Sequence, residues 1–227
     1  SWQKDASWGD YYVTTLTDYG ENVNLENALV YSDNIYFARA ALNIGTDVMK
    51  EYFSKMGFDE EVPFELTLQQ STWDDDGNID SDIQLADTGY GQGQLLVNPV
   101  HLLSMYSMFV NGGNMLKPTL AWEENYTAQV WKEQAVSAET AETVKNDLIQ
   151  VIENPTGTGA SAKIDGITML GKTGTAEIKA YAGDTTGTEL GWFAVFTADP
   201  AAEKPVLLVS MVEDVKERGG SSYVVEH

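Results

Sequence analysis

Two short stretches carry groups suited to acyl-transfer chemistry. Ser32-Asp33-Asn34 places a hydroxyl and an amide two residues apart, and Gly171-Lys172-Thr173-Gly174-Thr175-Ala176-Glu177 sets a lysine among glycines and hydroxyls. A serine hydroxyl accepts and donates a proton, a lysine ammonium brings a positive charge with three donors, and threonine hydroxyls add rotatable donors. Backbone N–H groups on a glycine-rich edge can meet an oxyanion with no side chain in the way. Such groups suit an extended substrate that ends in a carboxylate and lies along a strand edge. Neither tripeptide is specific alone, since Ser-x-Asn is expected by chance about once every chain or two of this size. Their order, and the local structure each requires, carry the information.

The elements around them follow from hydrophobic spacing. Asn24 caps a helix through Val30, which Ser32-Asp33-Asn34 interrupts; a second helix runs from Ile35 to Ile44 with Ile35, Ala38, Ala41 and Leu42 on one face and Gly45 as terminator. A third covers Asp47–Met56, with Val48, Tyr52, Phe53 and Met56 inward. Residues 58–97 read as mainly loop, with a glycine-dense turn at Asp87-Thr88-Gly89-Tyr90-Gly91-Gln92-Gly93 whose glycines allow tight packing beside the next helix. That helix has Asn98 as cap and Pro99 at its first position and runs to about Val110. Met115–Leu120 reads as a short strand, and Ser137 opens a helix to Ile152 with Val144, Leu148, Val151 and Ile152 inward. The period then changes to two: Thr168–Glu177, Gly191–Thr197 and Pro205–Val212 are expected to be antiparallel strands, with a last helix from near Ser221. Helices first and strands last give an α+β fold. We expect residues 1–155 to form a mainly helical part and 156–227 the part with the three-stranded antiparallel sheet.

Composition narrows the chemistry. The net charge is −22, from 35 acidic and 13 basic residues, so phosphate backbones are repelled and no nucleic-acid partner is expected. There is no cysteine, which excludes disulfides, zinc–thiolate sites and thiol catalysis. Two histidines, His101 and His227, are too few for a histidine metal site, and His101, in the first turn of its helix, is assigned a structural role. Asp74-Asp75-Asp76 with Gly77 and Asn78 reads as a solvated turn. No cofactor or metal is expected. No apolar run reaches the length of a membrane span, and we expect no signal peptide within these residues. The abrupt ends, Ser1-Trp2-Gln3-Lys4 and Val224-Val225-Glu226-His227, lead us to expect a fragment.

Ser-Asp-Asn and Lys-Thr-Gly, after an earlier Ser-x-x-Lys, are the signature of penicillin-binding proteins and serine β-lactamases. More of the chain agrees: Trp2-Gln3-Lys4-Asp5 with Ser7-Trp8-Gly9, Tyr31 through Ala38, Gly89-Tyr90-Gly91-Gln92-Gly93 with Asn98-Pro99, and Gly171 through Glu177. In order, these resemble the transpeptidase domain of class B penicillin-binding proteins, especially the low-affinity type of Gram-positive bacteria. The resemblance implies a peptidoglycan D,D-transpeptidase that joins stem peptides through an acyl-serine and binds β-lactams. It also implies a membrane-anchored parent working at the outer face of the bacterial membrane. Carried over residue by residue, Ser32 relays a proton between the general base and the leaving amine. Asn34 bonds the substrate peptide and orients that base, and Lys172 holds the electrostatic balance of the cleft. Thr173 and Thr175 meet the terminal carboxylate of a D-Ala-D-Ala stem or a β-lactam, the N–H of Thr175 forms half of the oxyanion hole, and Gly174 keeps the edge clear. Asp33 is a local anchor, while Tyr11, Gln92 and Glu177 are weaker candidates for the rim.

The sequence departs from the family at one point. The family's nucleophile is the serine of Ser-x-x-Lys on a helix upstream of Ser32, and the Ser1–Lys4 match precedes an irregular aromatic segment, so we read it as accidental. The nucleophile helix and the first strands of the sheet are then expected outside this chain, and the fragment alone is expected not to form an acyl-enzyme. Other readings of the same residues are a D,D-carboxypeptidase or β-lactamase, and a non-catalytic β-lactam sensor or pseudo-enzyme module.

Overall fold

The computed structural model describes residues 1–17, 22–121, 123–178, 186–199 and 201–227; Tyr19 of the first aromatic stretch and Trp122 lie outside the described residues. The helices are α1 (Leu25–Val30), α2 (Asn34–Ile44), α3 (Thr46–Lys55), α4 (Asp82–Gly89), α5 (Pro99–Ser107), α6 (Ala138–Glu153) and α7 (Ser221–Glu226). The strands are β1 (Met115–Leu116), β2 (Val130–Lys132), β3 (Met169–Glu177), β4 (Glu189–Thr197) and β5 (Leu207–Val212). The chain divides into two compact units, each made of separated stretches: residues 14–36 with 145–227, and residues 2–13 with 37–144.

In the first unit β3, β4 and β5 form an antiparallel sheet in that order, as the period-two stretches predict. Lys172 stands opposite Ala194, Gly174 opposite Trp192 and Thr175 opposite Gly191. A core of Ile152, Met169, Phe193, Val215 and Val224 draws together α6, the sheet and α7. Each such apolar side chain contributes about 1.5–3 kcal/mol on burial. Gly171 is required by this packing, because a Cβ there would lie 2.7 Å from the carbonyl oxygen of Ala194.

In the second unit Phe53, Phe58, Trp73, Met105, Met108, Met115 and Ala135 form the core, with Phe53 stacked on Trp73 at 5.9 Å between ring centres. His101 is fully buried. Its Nε2–H donates to the carbonyl oxygen of Met56 at 2.7 Å, and its Nδ1 lies 2.7 Å from the Ser71 hydroxyl. A carbonyl can only accept, so Nε2 carries the proton and the neutral ring takes the Ser71 proton on Nδ1. The structural role expected of this histidine is what the bonds describe.

Four expectations are corrected. The stretch 58–97 is not mainly loop throughout: Ser81 caps α4 by accepting the N–H of Gln84, and the glycine-dense turn begins at that helix's end. Gly89 packs against the preceding α2, where a Cβ would lie 2.6 Å from that of Ala41, and not beside the next helix. On α3 the inward stripe is Met49, Phe53 and, just past its end, Met56, while Val48 and Tyr52 are exposed. These follow an i, i+4, i+7 spacing that the choice of Val48 and Tyr52 misses by one residue. The strand from Met115 is confined to two residues; Lys117 N–H still bonds Gln129, and Pro118, which has no N–H, ends the pairing.

Candidate active site

The turn that carries Ser32 is a helix terminator. At the end of α1 the N–H of Asp33 bonds the carbonyl of Ala28 at 2.8 Å and that of Ser32 bonds Leu29 at 3.4 Å. This is the Schellman pattern, which places its C′ residue in the left-handed region where glycine is usual. Here that residue is Ser32, with φ of 54°. A side chain held in this region costs about 1–3 kcal/mol and persists only when its surroundings fix it. Asp33, buried behind it, accepts the N–H of Tyr36 at 2.8 Å and so starts α2. One helix therefore stops and the next starts within three residues, and Ser32 is at the apex. Asn34 follows at the first position of α2, its Nδ2 donating to the carbonyl of Thr14 at 3.0 Å. Its amide oxygen has no partner among the described residues.

Lys172 lies in β3, and its Nζ donates to the hydroxyl oxygen of Ser32 and to the carbonyl oxygen of Thr173, the latter at 2.9 Å. The two distant motifs therefore meet through their side chains. Burial pulls the ammonium down from the ordinary lysine value to about 8. Since Lys172 donates to Ser32, the serine keeps its own proton to give to a third group.

Side chains alternate along β3, so Lys172 and Gly174 share one face while Thr173 and Thr175 share the other. Thr173 is buried and its hydroxyl donates to that of Thr158 at 2.9 Å. Thr175 is exposed, and its hydroxyl oxygen accepts the N–H of Ser221 at 3.1 Å. A Cβ at Gly174 would find only the Cβ of Trp192, at an ordinary 3.6 Å. Internal packing therefore requires Gly171 but not Gly174. Glu177 is exposed at the end of β3. In the other unit Tyr11 and Tyr90 both direct their hydroxyls to Asp87, which gives Tyr11 a structural partner there. Gln92 follows α4, its N–H bonded to the Asp87 carbonyl. Lys4 is ion-paired with Asp82 and lies on no helix. Among the described residues no cluster is arranged to hold a metal ion.

Thr158 is the residue that motif spacing does not reveal. The only hint in the sequence is the alternation Thr156-Gly157-Thr158-Gly159, which repeats the hydroxyl–glycine pattern of Thr173-Gly174-Thr175.

Ser-Asp-Asn at a helix–helix turn and Lys-Thr-Gly on a strand of an antiparallel sheet, joined by a hydrogen bond, are two of the three signature motifs of penicillin-binding proteins and serine β-lactamases. The comparisons narrow this. The profile of the penicillin-binding protein transpeptidase domain matches residues 1–226, and the chain belongs to that family. It is 46% identical over 225 residues to penicillin-binding protein 3 of Bacillus subtilis, an alignment covering 99% of this chain and 33% of that protein. Among solved structures, the transpeptidase domain of Burkholderia pseudomallei penicillin-binding protein 3 aligns with TM-score 0.78 at 20% identity, covering 94% of this chain and 64% of that one. The imipenem acyl-enzyme complex of penicillin-binding protein A from Mycobacterium tuberculosis aligns with TM-score 0.72 at 23% identity, covering 90% of this chain and 46% of that one. These two establish the shared fold. The chain spans about a third of the length of the curated relatives it matches.

Proposed function

We propose that this chain forms part of a peptidoglycan D,D-transpeptidase domain, which takes the penultimate D-Ala carbonyl of a stem peptide onto a serine, releases D-Ala, and passes the acyl group to an amine of a neighbouring stem. β-Lactams enter the same path as carboxylate-bearing mimics and remain on the serine. The parent acts outside the bacterial membrane, anchored to it, and its nucleophile is a serine of a Ser-x-x-Lys helix that precedes this chain. The observation that carries the reading is the hydrogen bond from Lys172 to Ser32, because it joins the two motifs into one proton-transfer unit.

The bonds support the following roles. When the tetrahedral intermediate collapses, the departing amine needs a proton; the Ser32 hydroxyl gives its own and is replenished from the lysine side. Among the described residues the Lys172 ammonium uses two of its three N–H groups, which leaves the third for an anionic group of the substrate. The amide oxygen of Asn34 accepts from the substrate's peptide N–H. Thr175 is exposed at the strand edge, where its side chain meets the terminal carboxylate and its backbone N–H serves the oxyanion. Thr173, with its hydroxyl turned inward, contributes its backbone and the fixing of the strand. Gly174 leaves room for the extended peptide.

The test is acylation of the full-length protein by a labelled penicillin, read by intact mass. One adduct is expected on the full-length protein and none on residues 1–227 alone. A full-length protein with its Ser-x-x-Lys intact that gains no adduct would overturn the assignment.

A further inference from the structure

The Ser32–Lys172 bond is one side of a closed circuit of hydrogen bonds. From Ser32 the chain leads back two residues to Val30, whose carbonyl oxygen accepts the N–H of Thr158 at 3.1 Å. The hydroxyl of Thr158 accepts a hydrogen bond from that of Thr173 at 2.9 Å, and the residue before Thr173 on β3 is Lys172, which returns to Ser32. Three separate segments are thereby tied to one another: the end of α1, the loop after α6, and β3. Lys172 and Thr173 point to opposite faces of β3, so the strand is gripped from both sides.

The loop that closes the circuit is built stiff. Asn154 accepts both the N–H of Thr156, at 3.0 Å, and its hydroxyl, at 2.9 Å. The N–H of Gly157 bonds the carbonyl of Asn154 at 2.8 Å and that of Gly159 bonds Val151 at 3.1 Å. The loop lies so close on the end of α6 that a Cβ at Gly157 would be 2.3 Å from the Val151 carbonyl oxygen. Tyr31, the neighbour of Ser32, places its hydroxyl 3.0 Å from that of Thr156. Ser32 itself has a strained backbone, and a strained residue needs its surroundings to hold it.

We propose that Thr158 is a positioning residue: its N–H and hydroxyl clamp the serine turn to β3 and thereby hold the Lys172 ammonium on the Ser32 hydroxyl. The inference rests on the acyl-transfer reading for its kinetic consequence, and on the hydrogen-bond circuit alone for its structural one. Thr158→Val keeps the shape of the side chain and the backbone N–H bond but removes the hydroxyl, and Thr158→Ser restores it.

In the full-length protein, with a fluorescent penicillin, Thr158→Val is expected to lower the acylation rate constant about tenfold while the apparent dissociation constant of the first complex stays within about twofold. Thr158→Ser should recover the rate to within about threefold. In lysine-labelled protein, the 13Cε resonance of Lys172, assigned by its loss in Lys172→Met, should move in Thr158→Val and return in Thr158→Ser. If Thr158→Val fails to fold, Thr158→Ser against Thr158→Ala provides the same contrast. An unmoved resonance, or a serine variant as impaired as the valine one, overturns the proposal. Wild-type protein that does not acylate, with a resonance that still moves, overturns the transpeptidase reading and leaves the clamp standing.

Discussion

Ser32 and Lys172 are each held in a state that an isolated residue would avoid. Ser32 adopts a backbone conformation suited to glycine, and Lys172 carries a charge that burial disfavours. Both costs can be measured. Ser32→Gly should fold about 1 kcal/mol more stably than Ser32→Ala, since both lose the hydroxyl and only glycine relieves the backbone; chemical denaturation of the two variants gives the difference. For Lys172 the sign is that of a cation whose folded pKa is depressed: below about 8 the folded state holds the charge at a cost, and that cost disappears as pH rises through 8 toward the ordinary lysine value. Lys172→Met should therefore melt no lower than wild type at pH 7, and about 1 kcal/mol more stably, while acylation falls at least about a hundredfold. Acylation of wild type should also decline above about pH 8, where the ammonium is lost, in a stopped-flow pH profile.

At the scale of elements, the strands and most helices were legible because period and capping agree. Asn24, Asn98 with Pro99, and the alternation from Met169 onward need no tertiary information. Helix α4 could have been read from Ser81 and Gln84, a capping pair obscured by the glycines that follow. The facing of α3 could not, since Val48 and Met49 are both apolar and only the position of Phe58 and Trp73 decides which turns inward. At the candidate site, the meeting of Ser32 and Lys172 could be anticipated from motif and order, whereas the inward turn of Thr173 depends on Thr158, which no spacing rule indicates. The two glycines of β3 give a contrast belonging to this scale. Gly171→Ala should destabilise by about 2–3 kcal/mol because the new methyl meets a backbone carbonyl. Gly174→Ala should fold within about 1 kcal/mol of wild type yet lose penicillin acylation, if the space at Gly174 belongs to the ligand. Equal destabilisation of the two would contradict that distinction.

For the molecule as a whole, the acid limit of stability should bear the mark of His101. Burial lowers its pKa, so the unfolded chain binds a proton that the folded one refuses, and stability is lost as pH falls below about 6.5. Urea unfolding between pH 7 and 5 should show a slope of up to about 1.4 kcal/mol per pH unit, shallower in His101→Gln. The strongly acidic composition says little about fold and nothing about the reaction. What carries the proposed function is local, a serine turn and a lysine strand brought to one point. A double-mutant cycle on penicillin acylation of the full-length protein tests this most directly, with Ser32→Ala, Lys172→Met and the pair together. If the two groups act as one proton-transfer unit, the double variant should be no slower than about threefold below the slower single variant. Losses that multiply would show that the serine and the lysine act independently, and would contradict the account.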